Sequence, residues 1–546
     1  MIAVEAKYAT LPQNRKLLVW STLSGVILAL GFPVSPLTPL MFLGFVPLLM
    51  VEKVIADSRE EASKWAVFKY SYHAFVVWNI LTTYWVSNSA SFAGGIIAIW
   101  LNSFFMTVPF VLFHQTRKTM KSNFMYLAFI VNWMSWEYLH LRWEISWPWL
   151  TLGNSFAQYP EWVQWYEYTG VFGGTFWILL MNLLIFRWVA QPLFLDNTKI
   201  QWKQVLKIGL LILLPILASL WQYYNYEPVG KEVEVVVVQP NYEPHYKKFT
   251  TDKWEQLDQF LELSQKELST NTEYLVFPET SFGFFNIDRL EREELIRRLR
   301  DLVNTYPNLK LVTGISAYYL FKDGEPLSET ARETVDNRTG TVRFWESYNA
   351  AIQLESGKRE IQFYKKSKFV PGAEILPYHE LFFLFKPIVD QLGGTMAGYG
   401  KQKERTPFSS SSGKVAAAIC YESVYGEYAA GYIREGANAI FIITNDGWWD
   451  DTPGFKQHLK FASLRAIESR RDIARSANTG TSAFINQRGD IRQATAYEVD
   501  AVIKSKIRMN DQHTFYVVWG DVLGRLAVFT FLLLFLNTLV KSRMER

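Results

Sequence analysis

The apolar residues of this 546-residue chain follow two patterns, which meet near residue 225. Before that point they form long runs, several close to the ~20 residues that a helix needs to cross a bilayer. After it, short apolar runs alternate with amphipathic segments, as in a water-soluble α/β domain. A further long run lies near the C-terminus. The pattern predicts a transmembrane domain over 1–224, a soluble domain over 225–520, and a last span with a tail over 521–546.

Eight apolar runs are candidate membrane spans. The first is not a convincing signal peptide, because no small-x-small cleavage site follows it and another span begins almost at once. We therefore predict a polytopic α-helical membrane domain with seven spans before the soluble domain and one after it. The runs cover approximately 17–32, 36–54, 70–88, 93–114, 123–141, 170–190, 205–224 and 522–540.

Basic residues alternate between the two sides of these spans. Lysines and arginines cluster in both tails and after spans two, four and six, whereas the connection after span five carries only Arg142 and those after spans one and three carry none. Because basic loops remain in the cytoplasm, both termini are predicted to be cytoplasmic and the soluble domain extracytoplasmic. In a bacterium with two membranes, this places a multi-pass protein in the inner membrane with its soluble domain in the periplasm.

Aromatic residues make up 16% of the chain and include 21 Trp, as expected where rings lie at a membrane–water interface. The connection between spans five and six is especially rich in them. This segment is interpreted either as the lining of a lipid entrance or as an aromatic belt that anchors neighbouring helices. A net charge of +4 is too small to indicate a nucleic-acid partner. The aromatic residues in question are Trp143, Trp147, Trp149, Trp162, Trp165 and Tyr166.

The soluble domain alternates predicted strands and helices, which indicates layered α/β architecture but does not separate a parallel sheet from a four-layer sandwich. Segments 324–340 and 409–412 are predicted to be a loop insertion and a turn. Strands are predicted near 233–238, 274–277, 309–315, 348–354, 415–420, 439–444 and 482–486, and helices near 254–268, 290–303 and 458–470.

Three polar residues near the ends of apolar runs are candidates for covalent catalysis. Cys420 is the only cysteine, which rules out an intrachain disulfide, and it ends a predicted strand. Glu279 ends another, and Lys366 lies in a lysine cluster in which Lys365 is its rival. An ammonium group favours the thiolate, and a carboxylate can accept the thiol proton. Taken singly, each has an ordinary explanation. Cys420 is equally well a small buried side chain, Glu279 a solvated carboxylate, and Lys366 part of a charged surface turn.

In the order Glu279, Lys366, Cys420, these residues resemble the triad of the nitrilase superfamily. The similarity extends to other motifs and to the predicted span layout, and it points to the apolipoprotein N-acyltransferases. It implies a nitrilase-like α-β-β-α sandwich between the seventh and eighth spans. The further motifs that carry the resemblance are 444–449, Gln457-His458, Arg465-Ala466, 475–481, 514–516 and Gly520-Asp521.

This resemblance also implies a reaction. A fatty acyl chain would pass from a membrane phospholipid, commonly phosphatidylethanolamine, to Cys420 as a thioester. It would then pass to the N-terminal α-amino group of a diacylglyceryl-modified apolipoprotein, with ping-pong kinetics. Glu279 would transfer protons, and Lys366 would stabilise the oxyanion. The resemblance implies no cofactor, and the histidines lack metal-ligand spacing, so no metal is expected.

The resemblance assigns supporting roles to four further residues: Glu374, Tyr421, Glu422 and Asn445. They are expected to shape the substrate pocket and orient the triad. For Glu374 the alternative is a loop carboxylate paired with a nearby lysine. Where the family tends to have a Lys-Trp pair, this chain has Lys247-Lys248-Phe249. The apolar segment 381–389 is interpreted as a lid over lipid or as core packing.

Two other functions fit parts of the sequence. A membrane-tethered amidase or nitrilase would use the same triad to hydrolyse a C–N bond, although that chemistry needs no lipid-lined site. A transporter with a ligand-binding domain would need no nucleophile, so it predicts that Cys420→Ala leaves function intact.

Overall fold

The computed structural model describes residues 13–32, 34–58, 65–89, 92–119, 123–244, 247–335, 340–378 and 398–544. The chain forms two compact units. The first contains the residues up to Val86, Gly95–Tyr224 and the residues from Asp521 onward. The second contains Ser87–Gly94 and Asn225–Gly520.

The apolar part of the described chain forms long helices at all eight predicted runs. Helix α6 continues as a π-helix over Phe186–Asp196. Their bounds are α1 Gln13–Gly31, α2 Val46–Asp57, α3 Ala66–Thr83, α4 Phe92–Thr119, α5 Leu127–His140, α6 Val171–Ile185, α7 Trp202–Asn225 and the C-terminal helix Val522–Met544.

Five helical stretches of the described chain have the length and mean hydropathy of a membrane span. Helices α1, α3 and α5 are outside this group. The 14 residues of α5 rise only ~21 Å, less than the ~30 Å hydrocarbon core of a bilayer. Membrane helices are therefore present, while the count of eight spans stays a prediction. The five stretches are Thr38–Asp57, Gly94–Thr119, Val171–Asp196, Trp202–Asn225 and Val522–Lys541.

Aromatic rings form much of the packing inside the first unit. Trp149 stacks on Trp147 with ring centroids 5.5 Å apart and meets Trp85 edge-on at 5.1 Å. Trp162 stacks on Tyr159 at 4.3 Å. These rings of the aromatic connection therefore contribute to the packing of their own unit, and both interpretations of the segment, as a lipid entrance and as an aromatic belt, stay predictions.

The first unit also contains two buried carboxylates that the sequence patterns did not single out. Glu52 accepts a hydrogen bond from Arg117 and lies 2.7 Å from His114 Nδ1. Glu137 accepts hydrogen bonds from the Trp133 indole, the Leu152 amide and the Thr175 hydroxyl, at 2.7–2.9 Å. These contacts satisfy charged groups within the protein, as an apolar surrounding requires.

The second unit contains two mixed sheets. The first has the strand order β14-β1-β2-β4-β6-β5, with β3 paired to β4 and β7 to β6, and the second has the order β13-β12-β11-β10-β9-β8. The strands are β1 Lys231–Gln239, β2 Thr272–Val276, β3 Phe282–Asn286, β4 Lys310–Leu320, β5 Arg332–Val335, β6 Val342–Glu355, β7 Gln362–Lys365, β8 Phe408–Ser410, β9 Gly413–Ile419, β10 Ala439–Thr444, β11 Ile473–Ala477, β12 Ala483–Ile485, β13 Ile491–Arg492 and β14 Ala501–Met509.

Helices cover the outer face of each sheet. Helices α8 (Lys253–Gln265) and α9 (Glu294–Thr305) pack on the first sheet, and α10 (Gly426–Arg434) and α11 (Pro453–Ser469) pack on the second. The α9 sequence is strongly amphipathic, with Leu and Ile on one face and Arg and Glu on the other, so only the apolar face can enter the core.

The two sheets pack against each other. Tyr274 of β2 meets Phe441 of β10 edge-on, with ring centroids 5.1 Å apart, and Ser476 of β11 donates a hydrogen bond to the Val238 carbonyl of β1. The layers therefore run helix, sheet, sheet, helix, which confirms the α-β-β-α sandwich.

The structure agrees with the sequence prediction at one turn and departs from it at several strands, among them β3, β7, β11 and β13, which were not predicted. The predicted loop 324–340 contains β5, which pairs antiparallel with β6, although residues 336–339 lie outside the described chain. The predicted turn 409–412 is the tip of the β8–β9 hairpin. Strand β14 was not predicted, because Lys504, Lys506 and Arg508 interrupt its apolar residues, yet it pairs with β1 along its whole length. Its edge position explains how a strand with so many charges is stable.

Candidate active site

The ends of three strands carry the three candidate catalytic residues. Glu279 follows β2, Lys366 follows β7, and Cys420 follows β9. The Lys366 amide donates a hydrogen bond to the Asn349 carbonyl of β6, which continues the β6–β7 pairing one residue past the strand. Backbone pairing thus fixes where the lysine side chain begins.

Lys366 is the centre of a buried charge cluster. Its Nζ lies 2.9 Å from Glu279 Oε1 and 2.7 Å from Glu374 Oε1. Asn349 donates to both carboxylates, at 2.7 Å and 3.3 Å. The second oxygen of Glu374 accepts a hydrogen bond from the Val370 amide at 2.8 Å. One cation and one amide therefore hold two carboxylates side by side.

The neighbouring lysine, Lys365, lies elsewhere. Its Nζ lies 4.0 Å from the centre of the Tyr348 ring, a cation–π contact. Alternation along an extended segment explains the difference, because successive side chains point to opposite faces. The geometry therefore places Lys366, and not Lys365, beside Glu279.

Cys420 has an unusual backbone conformation. Its φ is +49°, in the left-handed region that β-carbon-bearing residues seldom adopt. The residue begins a short 3₁₀ helix, Cys420–Val424, directly after β9, and its side chain is buried. The sequence analysis predicted a strand through Cys420, whereas the strand ends at Ile419. Such strained turns occur at functional sites, where the surrounding structure maintains them.

In the resting site Glu279 and Lys366 are charged and the Cys420 thiol is neutral. Burial raises the pKa of Cys420, the negative charge of Glu279 adds to this, and Lys366 opposes it. Burial alone would raise the pKa of Glu279, but Lys366, Asn349 and Lys248 hold it below its usual value. Burial would lower the pKa of Lys366, but Glu279 and Glu374 hold it well above its usual value. The resting state is a Glu–Lys ion pair beside a protonated cysteine, so a base must remove the thiol proton during attack.

Glu422 connects four pieces of the site. Its Oε1 accepts hydrogen bonds from Tyr364, Tyr428 and the Ser367 amide at 2.7–2.9 Å, and its Oε2 accepts one from the Ile419 amide at 2.9 Å. Ser367, next to Lys366, and Ile419, next to Cys420, are therefore both hydrogen-bonded to one buried carboxylate. Burial raises its pKa.

The other two residues expected to support the site lie close to the strand ends. Tyr421 is buried against the Tyr425 ring, with centroids 5.3 Å apart. Asn445 follows β10, is buried, and accepts a hydrogen bond from Asn478 at 3.2 Å. Its side-chain N–H₂ has no hydrogen-bond partner among the described residues.

Sequence reasoning missed two residues that contact the triad. Asn349 is a polar residue inside the apolar run of β6, which was a usable signal. Lys248 was noted only as part of a departure from the family pattern. Its Nζ lies 2.5 Å from the Thr280 hydroxyl and 3.3 Å from the Glu279 carbonyl. Burial lowers the pKa of Lys248 to about 8, opposed by the charge of Glu279.

The expected lid at 381–389 lies outside the described residues. Among the described residues, no group of three or more His, Cys, Asp or Glu side chains is placed to hold a metal ion.

Comparison with known proteins identifies first the class and then the family. A model of carbon-nitrogen hydrolases matches residues 234–513, so the second unit is a nitrilase-like domain. A model of the apolipoprotein N-acyltransferase N-terminal domain matches residues 24–184, in the first unit.

Relatives named apolipoprotein N-acyltransferase match almost the whole chain. The one from Chlorobaculum tepidum is 30% identical over 92% of this chain and 92% of its own length. Those from Geobacter metallireducens and Pasteurella multocida are 25% and 22% identical and cover 92% and 91% of this chain, and 91% of their own length in both cases. The chain belongs to the apolipoprotein N-acyltransferase family.

Proposed function

We propose that this protein transfers a fatty acyl chain from a membrane phospholipid to the N-terminal α-amino group of a diacylglyceryl-modified apolipoprotein. The observation that carries the proposal is the buried Glu279–Lys366 pair next to the only sulfhydryl of the chain. Family membership and the apolar helices of the first unit support a lipid donor and a lipoprotein acceptor. Phosphatidylethanolamine is the donor that we expect.

In the first half-reaction Glu279 acts as general base. Among the described residues, hydrogen bonds to its side chain fall on Oε1, so Oε2 is the oxygen that takes the Cys420 proton. The sulfur attacks the ester carbonyl, and the oxyanion is stabilised by the Lys366 ammonium and a backbone N–H next to Cys420. The C–O ester bond then breaks, and the leaving glycerol oxygen receives the proton from Glu279. The products are a thioester on Cys420 and a lysophospholipid.

In the second half-reaction the apolipoprotein amine attacks the thioester. Glu279 accepts a proton from the amine, the C–S bond breaks, and the proton passes to the departing sulfur, which regenerates the thiol. The same oxyanion donors act in both steps, so one site serves two substrates in turn. Ping-pong kinetics follow from this order.

The supporting residues act by position in this proposal. Both oxygens of Glu374 and of Glu422 are occupied by fixed donors, so these carboxylates orient Lys366 and the strand ends and do not exchange protons. Tyr421 and Asn445 shape the wall beside Cys420.

We further propose a transmembrane domain over 1–224 with seven spans, a periplasmic catalytic domain over 225–520 and an eighth span with a cytoplasmic tail over 521–546. The alternation of basic connections supports this orientation. In a Cys420→Ser background, Lys266→Cys should react with a membrane-impermeant maleimide in intact spheroplasts, whereas Arg543→Cys should react only in inverted vesicles. The opposite pattern would refute the orientation.

Mass spectrometry of the intact protein tests the chemistry. After incubation with isotope-labelled phosphatidylethanolamine and no acceptor, the wild-type chain should gain one acyl mass that hydroxylamine removes, as expected of a thioester. Cys420→Ala should gain none. Addition of a diacylglyceryl peptide with a free N-terminus should then move the label to the peptide.

A matched pair of lysine variants tests the site. Lys366→Met should slow acylation about a thousandfold, because it removes the ammonium group from the oxyanion, whereas Lys365→Met should stay within about threefold of wild type. Hydrolysis of small amides without uptake of a phospholipid acyl chain would instead favour the amidase alternative. That alternative gives no reason for the apolar helices or for the similarity of the N-terminal region to acyltransferases.

A further inference from the structure

A second buried cluster lies next to Cys420. It consists of Thr444, Asp446, His458 and Arg475, hereafter the Asp446 network. All four side chains are at most 1% exposed. They come from the end of β10, the following 3₁₀ turn, helix α11 and strand β11.

Asp446 is the hub of this network. Its Oδ1 accepts a hydrogen bond from the Thr444 hydroxyl at 2.8 Å and lies 3.0 Å from His458 Nδ1. Its Oδ2 accepts a hydrogen bond from Arg475 at 2.6 Å. Burial would raise the pKa of Asp446, but Arg475 and His458 lower it to about 2, so the carboxylate stays ionised.

The network reaches Cys420 at two points. At the side chain, Thr444 lowers the pKa of the Cys420 thiol and the charge of Asp446 raises it. On the backbone, His458 Nε2 lies 3.2 Å from the Cys420 carbonyl oxygen, and the Ser423 hydroxyl donates to that same oxygen at 2.7 Å. Ser423 Oγ also lies 2.9 Å from His458 Nε2, so the imidazole and the hydroxyl meet at a carbonyl oxygen that can only accept.

The held carbonyl belongs to the peptide bond between Cys420 and Tyr421. This bond is trans, like every peptide bond described, so the Tyr421 N–H points away from the Cys420 carbonyl. Fixing the carbonyl therefore fixes the direction of the N–H. Hydrogen bonds to the carbonyl also polarise the amide and strengthen its N–H as a donor.

We propose that the Asp446 network is a positioning device, which acts through the Cys420 carbonyl to aim the Tyr421 N–H at the oxyanion formed during acyl transfer. The inference rests on the proposed function. His458 is then a positioning residue that touches neither substrate nor sulfur. The left-handed conformation of Cys420 needs such support, because it is intrinsically unfavourable.

The reaction type separates this role from a merely structural one. Acylation of Cys420 passes through an oxyanion, whereas alkylation by iodoacetamide displaces iodide and develops no charge on an oxygen near the turn. Loss of oxyanion alignment should therefore slow the first reaction and spare the second. Loss of folding, or of access to the sulfur, should slow both.

The experiment uses full-length protein in detergent with labelled phosphatidylethanolamine. We expect His458→Leu to reduce the kcat of acylation roughly thirtyfold, less than the loss of a whole oxyanion donor, with KM and the iodoacetamide rate within about threefold of wild type. His458→Gln should recover most of the loss, because the Gln amide can donate to the same carbonyl. Ser463→Ala is the matched control on α11, since the Ser463 hydroxyl has no hydrogen-bond partner among the described residues.

Three results would overturn the inference: unchanged acylation in His458→Leu, equal losses in the Leu and Gln variants, or a parallel fall in alkylation. Ser423→Ala should give the same signature with a smaller loss, which keeps the test informative if His458→Leu fails to fold. A wild-type protein that takes up no acyl chain would refute the proposed function itself, whereas full-rate acylation in His458→Leu with an active wild type would refute only the inference.

Discussion

The two units of this protein both bury carboxylates, but they surround them differently. In the membrane unit, Glu52 and Glu137 have both oxygens engaged by fixed partners. In the catalytic unit, the hydrogen bonds described for the Glu279 side chain fall on a single oxygen. A carboxylate whose two oxygens are engaged stabilises a structure, whereas one with an oxygen to spare can take a proton.

The same distinction holds within the active site. Glu374 lies beside Lys366 just as Glu279 does, at a slightly shorter distance. Its second oxygen is nevertheless engaged by the Val370 amide. Proximity to the lysine therefore does not identify the base, and the hydrogen bonding of the second oxygen does.

The largest effect should come from the two glutamates of the active site. Glu279→Gln should slow thioester formation by about a thousandfold or more, because an amide cannot accept the thiol proton. Glu374→Gln should slow it only about ten- to a hundredfold, through misplacement of Lys366. Single-turnover acylation measured by mass spectrometry gives both rates. Equal losses in the two variants would remove the basis for treating the second oxygen as diagnostic.

An intermediate effect, on stability and not on rate, is expected in the membrane unit. Glu52→Gln breaks a buried ion pair with Arg117 and leaves this cation with its longer 3.6 Å contact to Asp57, a loss that typically costs about 3 kcal/mol. The apparent melting temperature in detergent should fall by several degrees, while acylation at a temperature where the variant is folded stays within about threefold of wild type. Lys266→Met, which removes an exposed pair with Glu262, is the control and should change neither quantity. A large rate loss in folded Glu52→Gln would contradict a structural role.

The smallest effect is a pH dependence. Below about pH 8 Lys248 is charged, and its charge contributes to the low pKa of Glu279, which weakens that base. Above pH 8 Lys248 becomes neutral, Glu279 becomes more basic, and acylation without acceptor should rise about two- to threefold. Burial keeps the pKa of Cys420 too high for the thiol to ionise in this range.

Lys248→Met should abolish this rise, and the exposed Lys266→Met should retain it. Acylation measured from pH 6.5 to pH 9 at constant ionic strength separates the two outcomes. If the rise persisted in Lys248→Met, another group would be responsible and the link between Lys248 and Glu279 would be wrong.

Much of the architecture could be predicted from hydrophobic pattern, because burial imposes a period on the sequence. The long apolar runs correspond to helices, and the short ones correspond to β1, β2, β4, β9 and β10. Strand β14 was missed since its solvated lysines conceal the alternation. The number of membrane spans remains a prediction, because the 14 residues of α5 are fewer than a helix needs to cross a bilayer.

The active site, like the fold, has features that the sequence predicts and features that it does not. The sequence alone predicts that a single sulfhydryl and one carboxylate each follow a buried strand, because apolar runs and their polar ends are local properties. It left Lys365 and Lys366 as rivals. It marked His458 only as part of a family motif and Lys248 only as a departure from one, and it did not single out Asn349.

Only the tertiary structure decided these points. Which lysine faces Glu279 depends on the β6–β7 register, and which oxygen of a carboxylate is engaged depends on donors as far as 87 residues away. The carbonyl of the left-handed residue Cys420 is contacted by His458, 38 residues further along. Hydrogen-bond direction between residues distant in sequence is a property of the packed fold, since no local pattern of apolar and polar residues encodes it.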